Sequence, residues 1–431
     1  MTAMRSVPIL LVLACAACGG EETKPTGETD SAAAGRVDAP AKADVAAPKA
    51  APAAPGRALL ITQSEFKPNA DGKYTVPDAA GLLVLTPTPS GAWKVDRIED
   101  RESNVFHKAI AVEGGGILTI GANQARLKLW RLEGGAWKVE TLWSPAFGGE
   151  QNRLRDFEAA DFDGDGRKDL AIATHDQGVV AVGWNRPDGW KFEELDRKPD
   201  TFVHEIEVGD LDGNGKLEIY ATPSQPNTAS GLGQGGAILQ YSWTGSKFER
   251  KEVAVFASRH VKEVLVADLE GDGTSELYAA LEAEMGPGGE VKAPVEIRVF
   301  KWKDKNWVDW KVVELNDRFC RFLTAGDVDH DGANELIASA FSSGVWVIEY
   351  GGAGGYPARC IDKDTGGFEH AAYLADLDGE KGLELYVADD NAGVINRYVY
   401  DGKGYAKSVV NRRLVPGQAM VWNITAADLS K

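Results

Sequence analysis

Cysteine and histidine are scarce, with four and six copies in a chain of 431 residues. The sequence contains no HExxH helix motif, no GxSxG elbow and no glycine-rich phosphate loop ahead of a helix. Those absences remove the usual signatures of zinc hydrolases, α/β-hydrolases and P-loop enzymes. Basic residues are outnumbered, 47 Lys and Arg against 65 Asp and Glu, and form no stripe, so no nucleic-acid partner is expected. Long apolar runs are missing too. The one candidate, within "MTAMRSVPILLVLACAAC" at residues 1–18, is too short to cross a bilayer.

That stretch has an Arg5-bearing start, a short apolar segment and small residues ending at cysteine, the pattern of an export signal. A cysteine after "VLA" or "CAA" resembles the lipobox of bacterial lipoproteins, which makes Cys15, ahead of Cys18, the expected acylation site. An ordinary cleaved signal is the alternative. Residues 19–56 are Ala, Pro, Gly and Thr with few large apolar side chains, so they read as a disordered tether. The expected location is the bacterial cell envelope, at the outer membrane or surface, with membrane contact through the lipid alone. In an oxidising compartment Cys320 and Cys360 have the option of a disulfide, which sequence leaves open.

What the chain has in abundance is one acidic motif. "DFDGDGRKD" at Asp161–Asp169 recurs as "DLDGNGKLE" from Asp210, "DLEGDGTSE" from Asp268, "DVDHDGANE" from Asp327 and "DLDGEKGLE" from Asp376. The first aspartates are 49, 58, 59 and 49 residues apart. Each motif is preceded by one short apolar strand and followed by two or three more, which is the four-stranded blade of a β-propeller. Residues 106–140 repeat the strands without the aspartates, and residues 57–98 supply only strands two to four. "VWNITAADLSK" at the C-terminus matches the missing first strand. The expectation is an all-β fold over residues 57–431: seven four-stranded antiparallel blades, closed by the C-terminal strand joining the N-terminal blade.

Calcium takes six to eight oxygens, and alternating acids on a tight turn aim every second side chain inward. In the first loop the ligands are expected to be Asp161, Asp163, Asp165, the Arg167 carbonyl and Asp169. Magnesium, which keeps more water, suits this set less well. An EF-hand needs a bidentate Glu at position 12 between helices, whereas position 12 here is Ile172 in a strand.

With these loops in view, the chain resembles the FG-GAP/VCBS repeats of the integrin α-subunit propeller and of bacterial surface proteins. Position by position, the resemblance implies Asp210, Asp212, Asn214, Lys216 and Glu218 in the second loop and Asp268, Glu270, Asp272, Thr274 and Glu276 in the third. It implies Asp327, Asp329, Asp331, Ala333 and Glu335 in the fourth, residue 7 of each loop acting through its carbonyl. The fifth, Asp376, Asp378, Glu380, Gly382 and Glu384, departs from the pattern in its long Glu380 and in Lys381 where glycine is usual. Four or five calcium ions are therefore expected. The loops hold nineteen carboxylates, and without them the net charge of −18 becomes +1, so the acidity calls for no basic partner.

The first strand of each blade starts on the face away from these loops. Six residues before each first aspartate, or its equivalent, stand His107, Arg155, His204, Lys262, Arg321, His370 and Trp422. Two positions later all seven residues are apolar, so the strand changes from basic or aromatic to blade-packing. Such a ring at the channel mouth suits an anionic ligand, and its histidines admit a transition metal. Nearby Asp156, Glu205 and Glu263 offer the cations a plainer role in surface pairs. Loops at Ser224–Ala237 and Glu282–Glu296 should overhang this face. The leading expectation is a monomeric, calcium-stabilised extracytoplasmic propeller that binds a protein or glycan there. The alternative is a metal-dependent sugar-active enzyme, resembling polysaccharide lyases or sugar dehydratases, using His107, His204 and His370 with Arg155 or Arg321.

Overall fold

In all five acidic units the segment that follows the loop, such as Asp169–Thr174 or Glu384–Asp389, is a strand whose first residues are all buried. It lies second in a four-stranded antiparallel sheet, covered on both faces, and so reads as a continuous apolar run. The fourth strand is the outer one. Gly189–Asp196 alternates half-buried Trp190 and Phe192 with exposed charges, as a strand wetted on one face should.

The computed structural model describes residues 56–149, 152–227, 234–379, 382–412 and 417–429. The export signal with Cys15 and Cys18, all but the last residue of the tether, and Glu380 lie outside them.

Seven blades of this kind form the fold, numbered here along the chain. Their inner strands are Ala419–Asp428, Phe106–Val112, Leu154–Ala160, Phe202–Gly209, Val261–Ala267, Cys320–Gly326 and Ala372–Ala375. Each touches the next around the ring, the seventh touching the first. Closure is as expected: the C-terminal strand pairs antiparallel with Arg57–Pro68, from Arg57 opposite Asp428 to Glu65 opposite Ala419. Among the described residues the single helix is a 3-10 turn at Gly352–Gly354, and no helix is long and apolar enough to cross a membrane.

The core lies between blades. Between blades 3 and 4 it holds Val182, Trp184, Ile206, Ile219, Leu239 and Tyr241, and between blades 4 and 5 Tyr220, Ile238, Val264 and Phe300. Each fully buried aliphatic side chain contributes about 1.5–3 kcal/mol, so adjacent blades hold each other.

Two details differ from the sequence reading, and one that it left open is decided. Blade 1 gains a short fifth strand, Tyr74–Pro77, on the extended end of Arg57–Pro68. The Glu282–Glu296 loop is partly a ribbon, Glu284–Met285 against Val291–Ala293. Cys320 and Cys360 are free thiols, on the first and fourth strands of blade 6 with two strands between them.

Candidate functional site

Each acidic loop is built the same way. The carboxylate at position 9 opens the second strand and is buried: Asp169, Glu218, Glu276, Glu335 and Glu384. It accepts the backbone N–H of position 2, at 3.4 Å from Phe162, 3.3 Å from Leu211, 3.4 Å from Leu269, 2.9 Å from Val328 and 3.0 Å from Leu377. The position 2 side chains are themselves buried in the core, so each loop is pinned to its blade at both ends. Asp161, at position 1, gathers the N–H groups of Gly164, Asp165 and Gly166, and Asp210 gathers those of Asn214 and Gly215. Position 5 accepts from the N–H of position 7, as Asp165 does from Arg167 and Asp331 from Ala333. The turn needs φ near +80 to +100° at position 6, where Gly166, Gly215, Gly273 and Gly332 stand at 86, 79, 85 and 97°.

Three carboxylates therefore converge in each loop, with oxygens within 4.8 Å of one another. They are Asp161, Asp163 and Asp169; Asp210, Asp212 and Glu218; Asp268, Asp272 and Glu276; Asp327, Asp329 and Glu335; and Asp376, Asp378 and Glu384. Glu270 leaves its group and pairs with Lys301 at 2.6 Å. Burial, reinforced by neighbouring aspartates, pushes Glu218 and Glu335 up to about 7. Burial and a hydrogen bond with Asp378 do the same for Glu384. Oδ1 of Asp327 is buried without a hydrogen-bond partner. A hard, oxygen-only donor set that crowds negative charge and leaves a buried oxygen unsatisfied fits a divalent cation such as calcium.

On the opposite face the ring residues share a backbone device. Opposite the second strand, His107, Arg155, Lys262 and Arg321 are each the unpaired residue of a β-bulge, and His204 lies in a two-residue bulge with Glu205. Trp422 is the bulged residue of the closing strand. A bulge re-aims the side chain it carries. His370 is in no strand and has a φ of 54°.

The cations meet an anion supplied by the protein. Glu369, 1% exposed, lies on the linker between blades 6 and 7 and pairs with Arg155 at 3.4 Å, Lys262 at 3.1 Å and Arg321 at 3.1 Å. Burial works to raise its pKa, but Lys262, Arg321 and Arg155 outweigh burial and hold it at about 2. Arg321 also pairs with Glu282 at 3.0 Å and is stacked between Phe319 and Phe368. Nothing in the repeat spacing marks Glu369, which sequence reasoning missed.

The histidines likewise regroup. His204 lies between Arg155 and Lys262, 3.1 and 2.9 Å from its two ring nitrogens. Arg155 can only donate, so Nε2 of His204 is an acceptor. His370 points elsewhere, bonding the Ala340 carbonyl at 2.6 Å and the Thr365 hydroxyl at 3.2 Å. His107, His204 and His370 therefore do not converge. The neighbours of His204 are His175 and His260, with ring centroids 5.4 and 5.5 Å away, both missed because they lie off the repeat register. Burial, followed by nearby Arg and Lys, drives His107, His175, His204 and His260 well below the usual pKa and keeps them neutral.

One residue further along the strands, Asp156 pairs with Lys108 at 2.9 Å rather than with a ring cation, and Glu158 joins them. Burial, with neighbouring carboxylates, raises Glu205 and lifts Glu263 to about 8.

A cavity of about 570 Å3 opens on the same face, between blades 3 and 4 and away from the axis. Asp196, Thr201, Tyr241, Arg250, Glu252 and Phe256 are among its lining residues. Asp196 accepts from the Tyr241 hydroxyl at 2.9 Å and the Arg250 Nε at 3.0 Å.

The FG-GAP-like repeat family matches residues 161–221, from the first acidic loop through the second and into the strand beyond. No curated protein matches the sequence. Among solved structures, the chain is similar to a protein of Bacteroides fragilis NCTC 9343 named provisionally as a 6-phosphogluconolactonase. The TM-score is 0.53 at 12% identity, covering 87% of this chain and 99% of that one. A counterpart from Bacteroides uniformis ATCC 8492 gives 0.52 at 12% identity, covering 86% and 99%. At that identity the likeness is one of fold.

Proposed function

We propose that this β-propeller of FG-GAP-like repeats is a calcium-stabilised binding module, exported and lipid-anchored at the bacterial cell envelope, that presents the face opposite its acidic loops to a protein or glycan. The observation that carries the proposal is the common construction of the loops. In all five, a buried carboxylate at the start of one strand is fastened to the loop residue just beyond the end of the preceding strand. A cation held there joins two strands of one blade, which makes its binding energy folding energy.

That division of labour leaves the other face for recognition. At the channel mouth Glu369 pairs with the ring cations, and among the described residues a cavity between blades 3 and 4 opens on the same face. Its volume is within the usual ligand-site range of about 300–1,000 Å3. Its carboxylates, hydroxyls and aromatic edge suit the hydroxyl-rich surface of a glycan. Binding to an array of envelope glycans, with calcium present, should be lost in Val255→Trp, which fills the cavity from its exposed rim, while the melting temperature is unchanged. Glycan binding that the tryptophan leaves intact would contradict this placement. Palmitate labelling in a bacterial host should disappear in Cys15→Ser and persist in Cys18→Ser; labelling of neither form of the chain would remove the anchor.

A transition-metal enzyme at the mouth finds less support. His370 is spent on Ala340 and Thr365, and His204 is held between two cationic side chains.

A further inference from the structure

The five loops share one construction but differ in what stands over them from the third strand of their blade. In blade 3, Arg186 ends that strand and pairs with Asp163 at 2.6 Å and Asp165 at 3.0 Å. In blade 5, Lys301 pairs with Glu270 at 2.6 Å and Glu276 at 3.0 Å. In blade 7, Arg397 pairs with Asp378 and, at 3.3 Å, with Glu384, while Arg57 holds Asp376 at 2.7 Å. The third strands of blades 4 and 6, Gly235–Trp243 and Gly344–Ile348, contain no lysine or arginine. Among the described residues, no lysine or arginine pairs with Asp210, Asp212, Glu218, Asp327, Asp329 or Glu335.

We propose that Arg186, Lys301 and Arg397 are resident counter-cations that set the calcium affinity of their loops, dividing the five into two tight sites, in blades 4 and 6, and three weak ones. The proposal rests on the calcium reading above. All three side chains are largely shielded, at 25, 22 and 19% exposure, and each approaches two of its own loop's carboxylates. A cation fixed at that distance cancels one of the three or four negative charges that draw calcium in, and calcium must either displace it or bind beside it. Ligand charge count is one of the two quantities that tune oxygen sites over orders of magnitude. In blades 4 and 6 no lysine or arginine among the described residues relieves the crowding, and the orphaned Asp327 oxygen belongs to one of these two loops.

Arg186 is further fixed over the Trp184 ring, 4.7 Å from its centroid, and Lys301 near the Trp310 ring at 5.9 Å. Both are therefore held in place by more than the empty charge below them.

The test is a calcium titration of the chelator-stripped full chain, below its melting temperature, by calorimetry with native mass spectrometry counting the ions. Two ions should bind in a first class, separated by at least about tenfold in affinity from later ones. Arg186→Gln and Lys301→Gln should each move one further ion into the tight class, and Glu218→Gln should remove one. Four or five ions of equal affinity would overturn the division while leaving the calcium reading intact. No bound calcium at millimolar concentration would overturn both. If a variant fails to fold, the ion count on the unaltered chain still decides.

Discussion

Glu369 shows most plainly how a single residue holds the channel mouth. It pairs with all three of Arg155, Lys262 and Arg321, and it sits among them almost without solvent. Removing one partner from a buried ion network costs about 3–5 kcal/mol, because the charges left behind are neither paired nor hydrated. Glu369→Gln should therefore lower the urea midpoint by a corresponding amount; an unchanged midpoint would mean the network is hydrated in solution. The histidines supply a pH test. His107, His175, His204 and His260 are kept neutral by burial, whereas in the unfolded chain they take up protons near about pH 6.5. A base whose folded pKa is depressed contributes stability above that pH and loses it as pH falls, since the unfolded state then binds more protons. The calcium-saturated protein should accordingly melt lower at pH 5.5 than at 7.5. Without calcium an opposing term enters. Glu218, Glu335 and Glu384, raised to about 7, lose stabilisation as pH rises from about 4.5 through 7. The pH dependence of melting should thus be steeper with calcium than without it, and identical slopes would contradict the assignment.

At the scale of the element, what could be read from sequence was what is local. The nine-residue loops carry their own spacing, their turn glycines and the strands that follow, and all of this is visible without knowing the fold. The C-terminal strand was legible for the same reason: Val421–Asp428 repeats the pattern of the other inner strands. What escaped is what comes together only on folding. Arg155 and Glu369 are 214 residues apart, and Glu369 sits on a linker with no periodic position to betray it. The bulges that turn the ring residues toward the mouth also leave no mark in a two-residue alternation, since their signature is one residue too many. The closing strand invites its own experiment. Deleting residues 419–431 removes the partner of Arg57–Pro68 along its length and bares a long apolar edge, Leu59 to Ile61 included. The truncated chain should aggregate or unfold, seen as loss of the monomer peak on size exclusion. A soluble, cooperatively melting monomer would show that the ring holds without its clasp.

At the scale of the whole molecule, acidity, repeat and ring are one design. A chain with a net charge of −18 concentrates its acidity in five loops on one face, each fastening two strands, and on the function proposed above the other face is the one that recognises a ligand. Blade contacts around a closed ring make the parts cooperative, so a rivet lost in one blade is felt in its neighbours. On the calcium proposal, solvent cations act as part of the fold. A ligand present at a hundred times its dissociation constant adds about 2.7 kcal/mol per site. At about 2.1 cal/mol/K of unfolding entropy per residue, a propeller spanning residues 57–431 shifts its melting temperature by roughly 1.3 °C per kcal/mol. The most direct measurement is calorimetric melting at pH 7.5 in millimolar calcium, then in excess EDTA, then with calcium restored. Two or more occupied loops predict a fall of at least about 7 °C on chelation, reversed when calcium returns. An unchanged transition in EDTA would contradict the account.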